Sequence, residues 1–487
     1  MKKTMVFITA FLMTSLIVPT YAGAAFGPGE WLEYRLNDAN NPVSTIEGAD
    51  PLSSTTFQTG DEIRSTPVVV GDRLFAGNHN TGELFAFDIH TGKQLWKSQA
   101  PNWVHSEMIY QGGTIYVGYG NRFFQDRALR GTEESGVLAL NAETGEVKWN
   151  HTTDGEVMPT PLFHDGYVYA ATGDTHLYKL DAGTGEEAAK IKLGSVVSMS
   201  SPNYSDGSIF VGGGGPKPYT FYSVNVASEE INWKTEFDEV YAGLDDVPPA
   251  IDDQIIITTA LETPKAMNYR EVYNEFGTVE VYKEMIKSVT GERETHPEHM
   301  IYAMDTKTGE VLWKDSLGVG EMVKNNKSGA PMIYEGKVFV GSPITEKFYA
   351  YDLKTGERLW EFKNTVMKAP PVAADGTVYF SNAKGFVHAM DAASGEELGR
   401  KKLGGTLAPS GPIIVNDTLI VGSQDSHVYA LPTGEIKNSK DEYKNDLPVE
   451  KSQLSYFSFV YGPPVILLIA FLFLLLFFTR RAKRKNR

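Results

Sequence analysis

Short apolar runs separated by turn residues recur along most of the chain. In the segment 65–96, four runs rich in Val, Leu, Phe and Ala alternate with Gly-Asp, Asn-rich and Thr-Gly turns, and the last run carries Trp96. Runs bounded in this way are typical of β-strands joined by tight turns. Asp88 and Gly92 predict the last turn, because an Asp carboxylate accepts backbone N–H bonds and Gly tolerates a positive φ. The segment therefore predicts one four-stranded antiparallel sheet.

The same unit recurs, and self-comparison gives eight copies at intervals of about 40 residues. The Asp/Asn-x-x-Thr/Ser-Gly turn occupies residues 88–92, 141–145, 181–185, 305–309, 352–356 and 391–395, with degenerate copies at 225–228 and 433–434. A Trp follows the turn in five copies, at Trp96, Trp149, Trp233, Trp313 and Trp360. One such sheet cannot bury both of its faces, so these units must stack on one another as propeller blades do.

The combination Leu/Tyr-Ala-x-Asp-x-x-Thr-Gly-x-x-x-Trp is clearest in residues 85–96, 138–149, 302–313 and 349–360. It resembles the PQQ-like β-propeller repeat, also called the tryptophan-docking motif. The resemblance covers roughly residues 53–434 and implies an all-β, eight-bladed propeller of four-stranded antiparallel blades. It extends to the propeller lipoprotein of the outer-membrane barrel-assembly machinery and, more distantly, to quinoprotein dehydrogenases. The repeated Trp needs no cofactor, because a large ring can pack against the adjacent blade.

The N-terminal part predicts export and closure of the ring. Lys2 and Lys3 precede an apolar run and the small residues 22–24, which predicts a signal peptide over residues 1–24. Residues 25–52 resemble the lead-in before the first blade of this family. The eighth unit lacks an outer strand, so we expect residues 53–60 to supply it and remove the exposed sheet edge. Phe57 is then expected at the place of the repeated Trp.

The C-terminal part predicts a membrane anchor. Residues 435–455 are rich in Lys, Asp, Glu and Asn and predict a polar, solvated stalk. The apolar run 456–479 is long enough for a transmembrane helix, which needs about 20 residues. The basic tail 480–487 predicts a cytoplasmic C-terminus by the positive-inside rule. No Leu-Pro-x-Thr-Gly sorting signal precedes the run, so we expect a single-pass protein of a bacterial plasma membrane with the propeller outside.

Composition excludes several kinds of site and partner. The chain has no cysteine, which excludes disulfides and thiolate metal sites. It has 45 basic and 61 acidic residues. Without Lys2, Lys3 and the six basic residues of the tail, 37 basic residues face 61 acidic ones. Because such a surface repels phosphates, we expect no nucleic acid as partner.

An enzyme is the competing interpretation. Quinoprotein dehydrogenases share the repeat and use a bound quinone with calcium, but their vicinal cysteine pair cannot exist here. Asp245 and Asp246 supply two carboxylates, whereas calcium takes about six to eight oxygen ligands. No nucleophile elbow, phosphate-binding loop or zinc motif is present. We therefore expect no catalytic residue, metal or cofactor, and keep a quinone- or ligand-binding sensor or oxidoreductase as the alternative.

The departures from the repeat gather on one face. The segments 121–135, 212–219 and 262–299 all fall between the second and third strands of their blades. In a propeller that loop lies on the same face as the connection into each first strand. Loops on a rigid scaffold commonly carry function, so this face is the candidate binding face.

Aromatic residues among charged ones are typical of protein interfaces, although the same residues could simply pack the insert onto the propeller. The residues predicted for the interaction face are Trp103, His105, Glu107, Phe123, Phe124, Asp245, Asp246, Tyr269, Tyr273, Phe276, Lys324, Asn325 and Asn326. The sequence thus favours a non-catalytic scaffold whose partner is another protein of the cell envelope.

Overall fold

The computed structural model describes most of the predicted propeller. It covers residues 29–45, 50–125, 129–262, 272–273, 277–289, 297–409 and 411–443. The predicted signal peptide 1–24 and the apolar run 456–479 lie outside these residues. Over the part that the structure covers, none of the helices combines the length and apolar character that a membrane crossing requires.

The prediction of an all-β, eight-bladed propeller is confirmed, with eight sheets among the described residues. Blades 1 and 2 comprise β3 (Val68–Val70), β4 (Arg73–Gly77), β5 (Glu83–Asp88), β6 (Gln94–Gln99), β7 (Ile109–Gln111), β8 (Thr114–Tyr119), β9 (Ser135–Asn141) and β10 (Val147–Thr153). Blades 3 and 4 comprise β11 (Leu162–His164), β12 (Tyr167–Ala171), β13 (His176–Asp181), β14 (Glu187–Lys192), β15 (Asn203–Ser205), β16 (Ser208–Gly213), β17 (Tyr219–Asn225) and β18 (Ile231–Phe237).

The second half of the ring repeats the arrangement with two additions. Blades 5 and 6 comprise β20 (Ala250–Asp252), β21 (Ile255–Glu262), β22 (Glu298–Asp305), β23 (Val311–Val319), β24 (Met332–Tyr334), β25 (Lys337–Ser342), β26 (Lys347–Asp352) and β27 (Arg358–Lys363). Blades 7 and 8 comprise β28 (Val372–Ala374), β29 (Thr377–Ser381), β30 (Phe386–Asp391), β31 (Glu397–Lys402), β32 (Ile413–Val415), β33 (Thr418–Ser423), β34 (His427–Pro432) and β2 (Thr55–Gln58). Blade 5 gains β19 (Val240–Ala242) and blade 7 gains β1 (Val43–Ser44), so these two sheets have five strands.

The repeated turn joins the third and fourth strands of each blade through its Asp. In blade 5, Asp305 Oδ1 accepts hydrogen bonds from the backbone N–H groups of Lys307 and Thr308, both at 2.8 Å. Gly309 follows with φ 73°, a left-handed conformation that glycine adopts without strain. The sequence pattern thus fixes the turn by hydrogen bonding and backbone geometry together.

The repeated Trp packs on the turn glycine of the next blade. Trp313 donates from Nε1 to the carbonyl oxygen of Leu353 at 2.9 Å, and its ring lies where a Cβ on Gly356 would approach within 2.6 Å. Blade 3 has Ala189 in place of Trp, and the next turn has Glu229, with φ 61°, in place of Gly. At this junction both the ring and the glycine are absent. Equivalent pairs are Trp96 with Gly145, Trp149 with Gly185, Trp233 with Gly309, and Trp360 with Gly395.

A comparison of two turn glycines distinguishes the effect of packing against the Trp ring from the effect of the left-handed backbone conformation. Gly356 and Gly376 have φ 71° and 73°, but nothing lies within 4 Å of a Cβ placed on Gly376. We expect Gly376→Ala to lower the free energy of unfolding by about 1 to 2 kcal/mol, the left-handed penalty alone. Gly356→Ala should lower it by about 1 to 3 kcal/mol more, because the added methyl meets the Trp313 ring. Denaturant unfolding of both variants tests this, and equal losses would contradict the packing role.

Strand β2 closes the ring, as the sequence predicted. It pairs antiparallel with β34, with Phe57 opposite Val428 and Thr55 opposite Ala430. The expectation that Phe57 takes the place of the Trp is wrong, because the Trp of blade 1 lies opposite Ala86, the counterpart of Ala430. Thr55 holds that place instead. Phe57 is nevertheless fully buried, and its ring centroid lies 5.5 Å from that of Phe87 in blade 1.

The lead-in runs along the inner strands and satisfies their free edges. The inner strand of each blade lies at an edge of its sheet, so its backbone N–H and C=O groups on the side of the axis lack a neighbouring strand of the same blade. Trp31 exchanges two backbone hydrogen bonds with Val69, of 2.8 and 2.9 Å. Further along, carbonyl oxygens of Leu32, Asp38, Ala39 and Pro42 accept from the N–H groups of Tyr110, Tyr204, Ile251 and Ala373. Residues 31–44 thus lie on the axis of the propeller and tie together blades on all sides.

The prediction of a solvated stalk is wrong for residues 435–443. Residues Thr433–Lys437 form a short helix in which Ile436 is fully buried. Blade 7 has Gly399 where five other blades have Trp, and a Cβ there would lie 2.3 Å from the Ile436 carbonyl oxygen. The following residues run parallel to β31, where Arg400 N–H donates to the Ser439 carbonyl at 2.9 Å. A missing Trp ring therefore makes room for the chain to dock on blade 7.

Candidate functional site

A cavity of about 470 Å³ opens on one face of the propeller. It lies between the connections into first strands and the loops between second and third strands, which the sequence placed on the same face. We call this cavity the basin and this side the basin face. Its lining comprises Glu62, Arg64, His79, Asn80, Trp103, Arg122, Lys324, Asn325, Val366, Lys368, Ala369, Ser381, Asn382, Ala383, Thr406, Leu407, Ala408, Pro409 and Gln424.

The charged residues of the basin are mostly basic. Arg64, Arg122, Lys324 and Lys368 line it, against the single carboxylate of Glu62. This contrasts with the chain as a whole, whose formal net charge is −16. The basin is therefore a basic site on an acidic protein.

The two arginines of the basin, Arg64 and Arg122, are held by neighbouring side chains, and burial lowers the pKa of Arg64. Arg64 is buried, and its guanidinium lies 3.9 Å from Glu62 Oε1. Burial lowers the pKa of Arg64 to about 10; the charge of Glu62 opposes the change and that of Arg122 adds to it. Arg122 donates from Nη1 to Asn325 Oδ1, which fixes its guanidinium at the rim of the basin. Both guanidinium groups are thus held in place, and Arg64 remains charged at neutral pH.

Two histidines lie beside the arginines and are neutral. The ring centroids of His79 and His105 are 4.0 Å apart. Burial, followed by the charge of Arg64, lowers the pKa of His79 to about 3. Burial and His79 itself lower the pKa of His105. Trp103 packs edge-on to His79 at 5.1 Å and Phe123 packs edge-on to Trp103 at 5.2 Å. An aromatic wall thus runs from the buried histidines to the exposed Phe123.

A second charged cluster on this face is internal to the protein. Arg130 lies 3.5 Å from Asp245 and 3.9 Å from Glu156, which is fully buried. Burial raises the pKa of Glu156 to about 8, an effect that Arg130 and Arg122 oppose, so this carboxyl is largely protonated at neutral pH. Asp245 also accepts at its backbone carbonyl from the N–H groups of Met199 and Ser200, at 2.6 and 2.8 Å. The Asp245 backbone and the contacts of Arg130 thus hold the loops of this face together.

The insert of blade 5 carries a helix with apolar residues on two sides. Helix α1 (Thr278–Val289) buries Val281 and Met285. Val279 and Ile286 are 69% and 64% exposed and lie seven residues apart, on a common side. Tyr273, also 51% exposed, precedes the helix. The predicted face residues Tyr269 and Phe276 lie outside the described residues.

The structure brings some of the predicted face residues together and separates others. Trp103, Lys324 and Asn325 line the basin, and His105 lies behind it. Phe124 stacks under the Arg130 guanidinium at 5.1 Å. Two others bind within the protein: Glu107 is buried and accepts from the Thr160 hydroxyl, and Asp246 accepts from Lys327 N–H. Asn326 lies in a loop with φ 40°. That the exposed members dock a partner stays a prediction.

Sequence reasoning missed Arg64, His79, Arg122 and Lys368. A signal for two of them existed, because Arg64 and Lys368 each stand three residues before a strand-opening proline, Pro67 or Pro371. Aligning the repeats on these prolines would have placed both cations in the same connection and on the same face. Arg122 and His79 follow the second strands of their blades. These strands end at different positions of the repeat, so no sequence pattern marks the two residues.

The basin residues do not suit a quinone held by calcium. Within the ranges that the structure describes, no group of three or more His, Cys, Asp or Glu side chains could hold a metal ion. Four cations around one carboxylate would also repel a hard cation, which requires several oxygen ligands. The expectation that the chain uses neither quinone nor calcium stays a prediction.

Comparison with known proteins identifies the repeat. A family model described as outer membrane protein assembly factor BamB, built on the PQQ-like repeat, matches residues 40–125, 119–217 and 189–440. The chain belongs to this PQQ-like propeller family.

Relatives of this PQQ-like propeller include both a hydrolase and an assembly factor. Tetrathionate hydrolase of Acidithiobacillus ferrooxidans is 25% identical over 466 residues, covering 85% of this chain and 88% of that protein. Outer membrane protein assembly factor BamB of Yersinia pestis is 22% identical, covering 75% of this chain and 83% of that protein. Quinohemoprotein alcohol dehydrogenase from Comamonas testosteroni shares the fold, with a TM-score of 0.59 at 12% identity over 86% of this chain and 82% of that one.

Proposed function

We propose that this PQQ-like propeller is a non-catalytic protein-interaction scaffold of the bacterial cell envelope. The observation that carries the proposal is the outward side of helix α1, where Val279 and Ile286 are exposed although the opposite side is already packed. A surface helix with apolar residues on both sides is typical of a helix that packs against a second partner. The exposed Phe123 gives the same face a further aromatic contact.

The proposal includes a membrane anchor formed by residues 456–479, with the propeller outside the plasma membrane and the basic tail in the cytoplasm. The last described residue, Tyr443, accepts a hydrogen bond at its hydroxyl from Asn382 Nδ2 at 2.8 Å, and Asn382 lines the basin. The chain thus leaves the described propeller on the basin face. That position supports a partner in or near the same membrane. A reporter that is active only outside the cytoplasm should stay inactive when fused after Arg487; an active fusion would contradict the anchor.

Partner binding should depend on the outward side of α1. We expect the double variant Val279→Glu with Ile286→Glu to reduce the amount of bound partner by about tenfold or more. Burying an unpaired carboxylate in an apolar contact is strongly unfavourable. The measurement is quantitative co-purification of crosslinked partner with the full-length protein from detergent-solubilised membranes.

The matched control is Val147→Glu with Leu312→Glu, on the outer strands of blades 2 and 5. These side chains are 50% and 51% exposed, so the control adds the same charge to apolar surface away from the basin face. It should retain the partner. Equal retention by both double variants would contradict docking on α1.

A ligand-binding or enzymatic function is the second candidate. Two observations favour it: the likeness to tetrathionate hydrolase over 85% of this chain, and a cavity that a docking platform does not require. The scaffold proposal predicts no turnover of tetrathionate, and no dye-linked alcohol oxidation with added quinone and calcium. Sustained turnover of either substrate by the purified protein would replace the scaffold with an enzyme.

A further inference from the structure

We propose that Glu156 is a pH-dependent switch for the insert of blade 2: the insert stays docked while this carboxyl is protonated and opens as the carboxyl ionises. The insert of blade 2 here means the described residues 121–125 and 129–135. The inference concerns the fold of the basin face. It goes beyond the scaffold function and holds whether or not a protein docks on helix α1.

The backbone of Glu156 connects the insert to blade 3. Glu156 N–H donates to the Arg130 carbonyl oxygen at 3.0 Å, and Arg130 N–H donates to the Gly173 carbonyl oxygen at 3.0 Å. Gly173 N–H in turn donates to the Glu156 carbonyl oxygen at 2.8 Å. These three hydrogen bonds form a closed ring, so a displacement of Glu156 or of the insert breaks bonds of this ring.

The side chain of Glu156 is enclosed by backbone. It is fully buried, and among the residues that the structure covers neither of its carboxyl oxygens has a hydrogen-bond partner. A Cβ placed on Gly131 would lie 2.5 Å from Glu156 N, and one placed on Gly173 would lie 2.8 Å from Glu156 Cγ. A neutral carboxyl group tolerates such a site far better than a carboxylate, which loses its hydration there.

The charged groups that act on Glu156 belong to the insert and to the loop before blade 5. Burial raises the pKa of Glu156 to about 8; Arg130 and Arg122 oppose the change, and Asp245 and Asp246 add to it. Arg130 Nη1 lies 3.9 Å from Glu156 Oε1, which is too long for a hydrogen bond. The arginine therefore does not replace the water that an ionised Glu156 requires.

The acidic residues on the other two segments beside Glu156 interact with Lys190. Asp154, two residues before Glu156, lies 2.7 Å from Lys190 Nζ. Asp174, in the loop after β12, lies 3.4 Å from the same ammonium group and accepts from the Tyr178 hydroxyl at 2.6 Å. Both carboxylates thus have a cation beside them, whereas Glu156 is the buried group whose charge depends on docking of the insert.

The insert is the wall of this site that can open. Besides the Arg130 backbone, Gln125 attaches it to the neighbouring connection, because its side-chain amide donates to the Asp154 carbonyl oxygen at 3.0 Å. Loops attached by a few hydrogen bonds open at a lower free energy than paired strands do. Opening admits water to the Glu156 carboxylate and removes the cost of burying it.

The pH range of the switch follows from the two positions of the insert. With the insert docked, the Glu156 pKa is about 8. With the insert open, the carboxyl is hydrated and returns to the ordinary glutamate pKa of about 4.3. The open insert therefore binds fewer protons between these two values, so docking weakens as the pH rises from about 4.3 to about 8 and is constant above that.

Hydrogen exchange measured by mass spectrometry on the detergent-purified full-length protein tests the inference. Exchange rates in peptides covering residues 129–135 are compared between wild type and Glu156→Gln, whose side chain has a similar shape and stays neutral. Comparison at one pH cancels the effect of pH on the intrinsic exchange rate. We expect the ratio of the wild-type rate to the variant rate to rise by about tenfold or more between pH 5 and about pH 8.

The matched control is Asp154→Asn, which removes an exposed carboxylate two residues away. The same ratio for this variant should change less than about twofold over that pH range. A ratio for Glu156→Gln that stays constant with pH, or an equal rise for Asp154→Asn, would overturn the inference.

A measurement on wild type alone covers the case in which Glu156→Gln does not fold. The protection of residues 129–135 relative to residues 337–352 of blade 6 should fall by about tenfold or more between pH 5 and about pH 8. Constant relative protection would overturn the inference. Neither result bears on docking at α1, which Val279→Glu with Ile286→Glu tests separately.

Discussion

Phe57→Ala is expected to lower the free energy of unfolding by about 3 to 4 kcal/mol, since removing a buried aromatic ring leaves a cavity. The side chain is fully buried although its strand lies at the outer edge of blade 8. It packs on Phe87 of blade 1, with ring centroids 5.5 Å apart. This one ring therefore links the first and last blades of the closed ring. Urea unfolding followed by Trp fluorescence measures the loss.

The neighbouring Thr56 and Gln58 provide the control, because both are exposed on the same strand. Their replacement by Ala should change the free energy of unfolding by less than about 0.5 kcal/mol. If Phe57→Ala were as mild as these changes, closure through β2 would not stabilise the ring.

Deleting residues 29–45, with β2 retained, is expected to be more damaging still. Trp31 is 1% exposed, and truncating such a residue alone lowers the free energy of unfolding by about 3 to 5 kcal/mol. The deletion also removes the buried Arg35 guanidinium, which donates to the carbonyl oxygens of Pro248 and Pro331. We expect a total loss above about 5 kcal/mol, which is a large part of the stability of a typical domain.

The sequence alone would suggest that this truncation is mild, because the lead-in has no repeat and little regular structure. Thermal and urea unfolding of the deletion variant measure its effect, with Asp50→Ala, an exposed substitution just beyond the deleted segment, as control. An unfolding midpoint equal to that of the control would mean that the inner strands do not need the lead-in.

The repeat made most of the fold predictable. Periodic turns, prolines and Trp residues encode blades through local interactions, so blade number, strand order and closure follow from pattern. The sequence assigned the place of the repeated Trp to Phe57, although Thr55 occupies it. Spacing between elements does not give strand register, whereas the pairing of Ala430 with Thr55 does. The lead-in itself was predicted, but its axial position was missed, since its hydrogen bonds join residues far apart in the chain.

The basin was harder to predict than the face that holds it. The sequence placed the inserts and the connections into first strands on one face, because loop topology follows from strand order. The basic character of the basin arises from single residues on separate blades, such as Arg64, Arg122 and Lys368, which meet only when the ring closes. Conversely, Glu107 and Asp245 were predicted for the interaction face, although both residues are buried. In irregular loops, sequence patterns do not distinguish a polar residue that lines a cavity from one that is buried.

Site-specific photo-crosslinking in intact cells tests the central claim, docking on the basin face, most directly. A photoreactive amino acid replaces Phe123 or Ile286 on that face, and Leu312 or Lys354 away from it, all of which are exposed. The scaffold account predicts adducts of one defined mass from the first two positions and none from the other two. Adducts from all four positions, or from Leu312 and Lys354 alone, would contradict it.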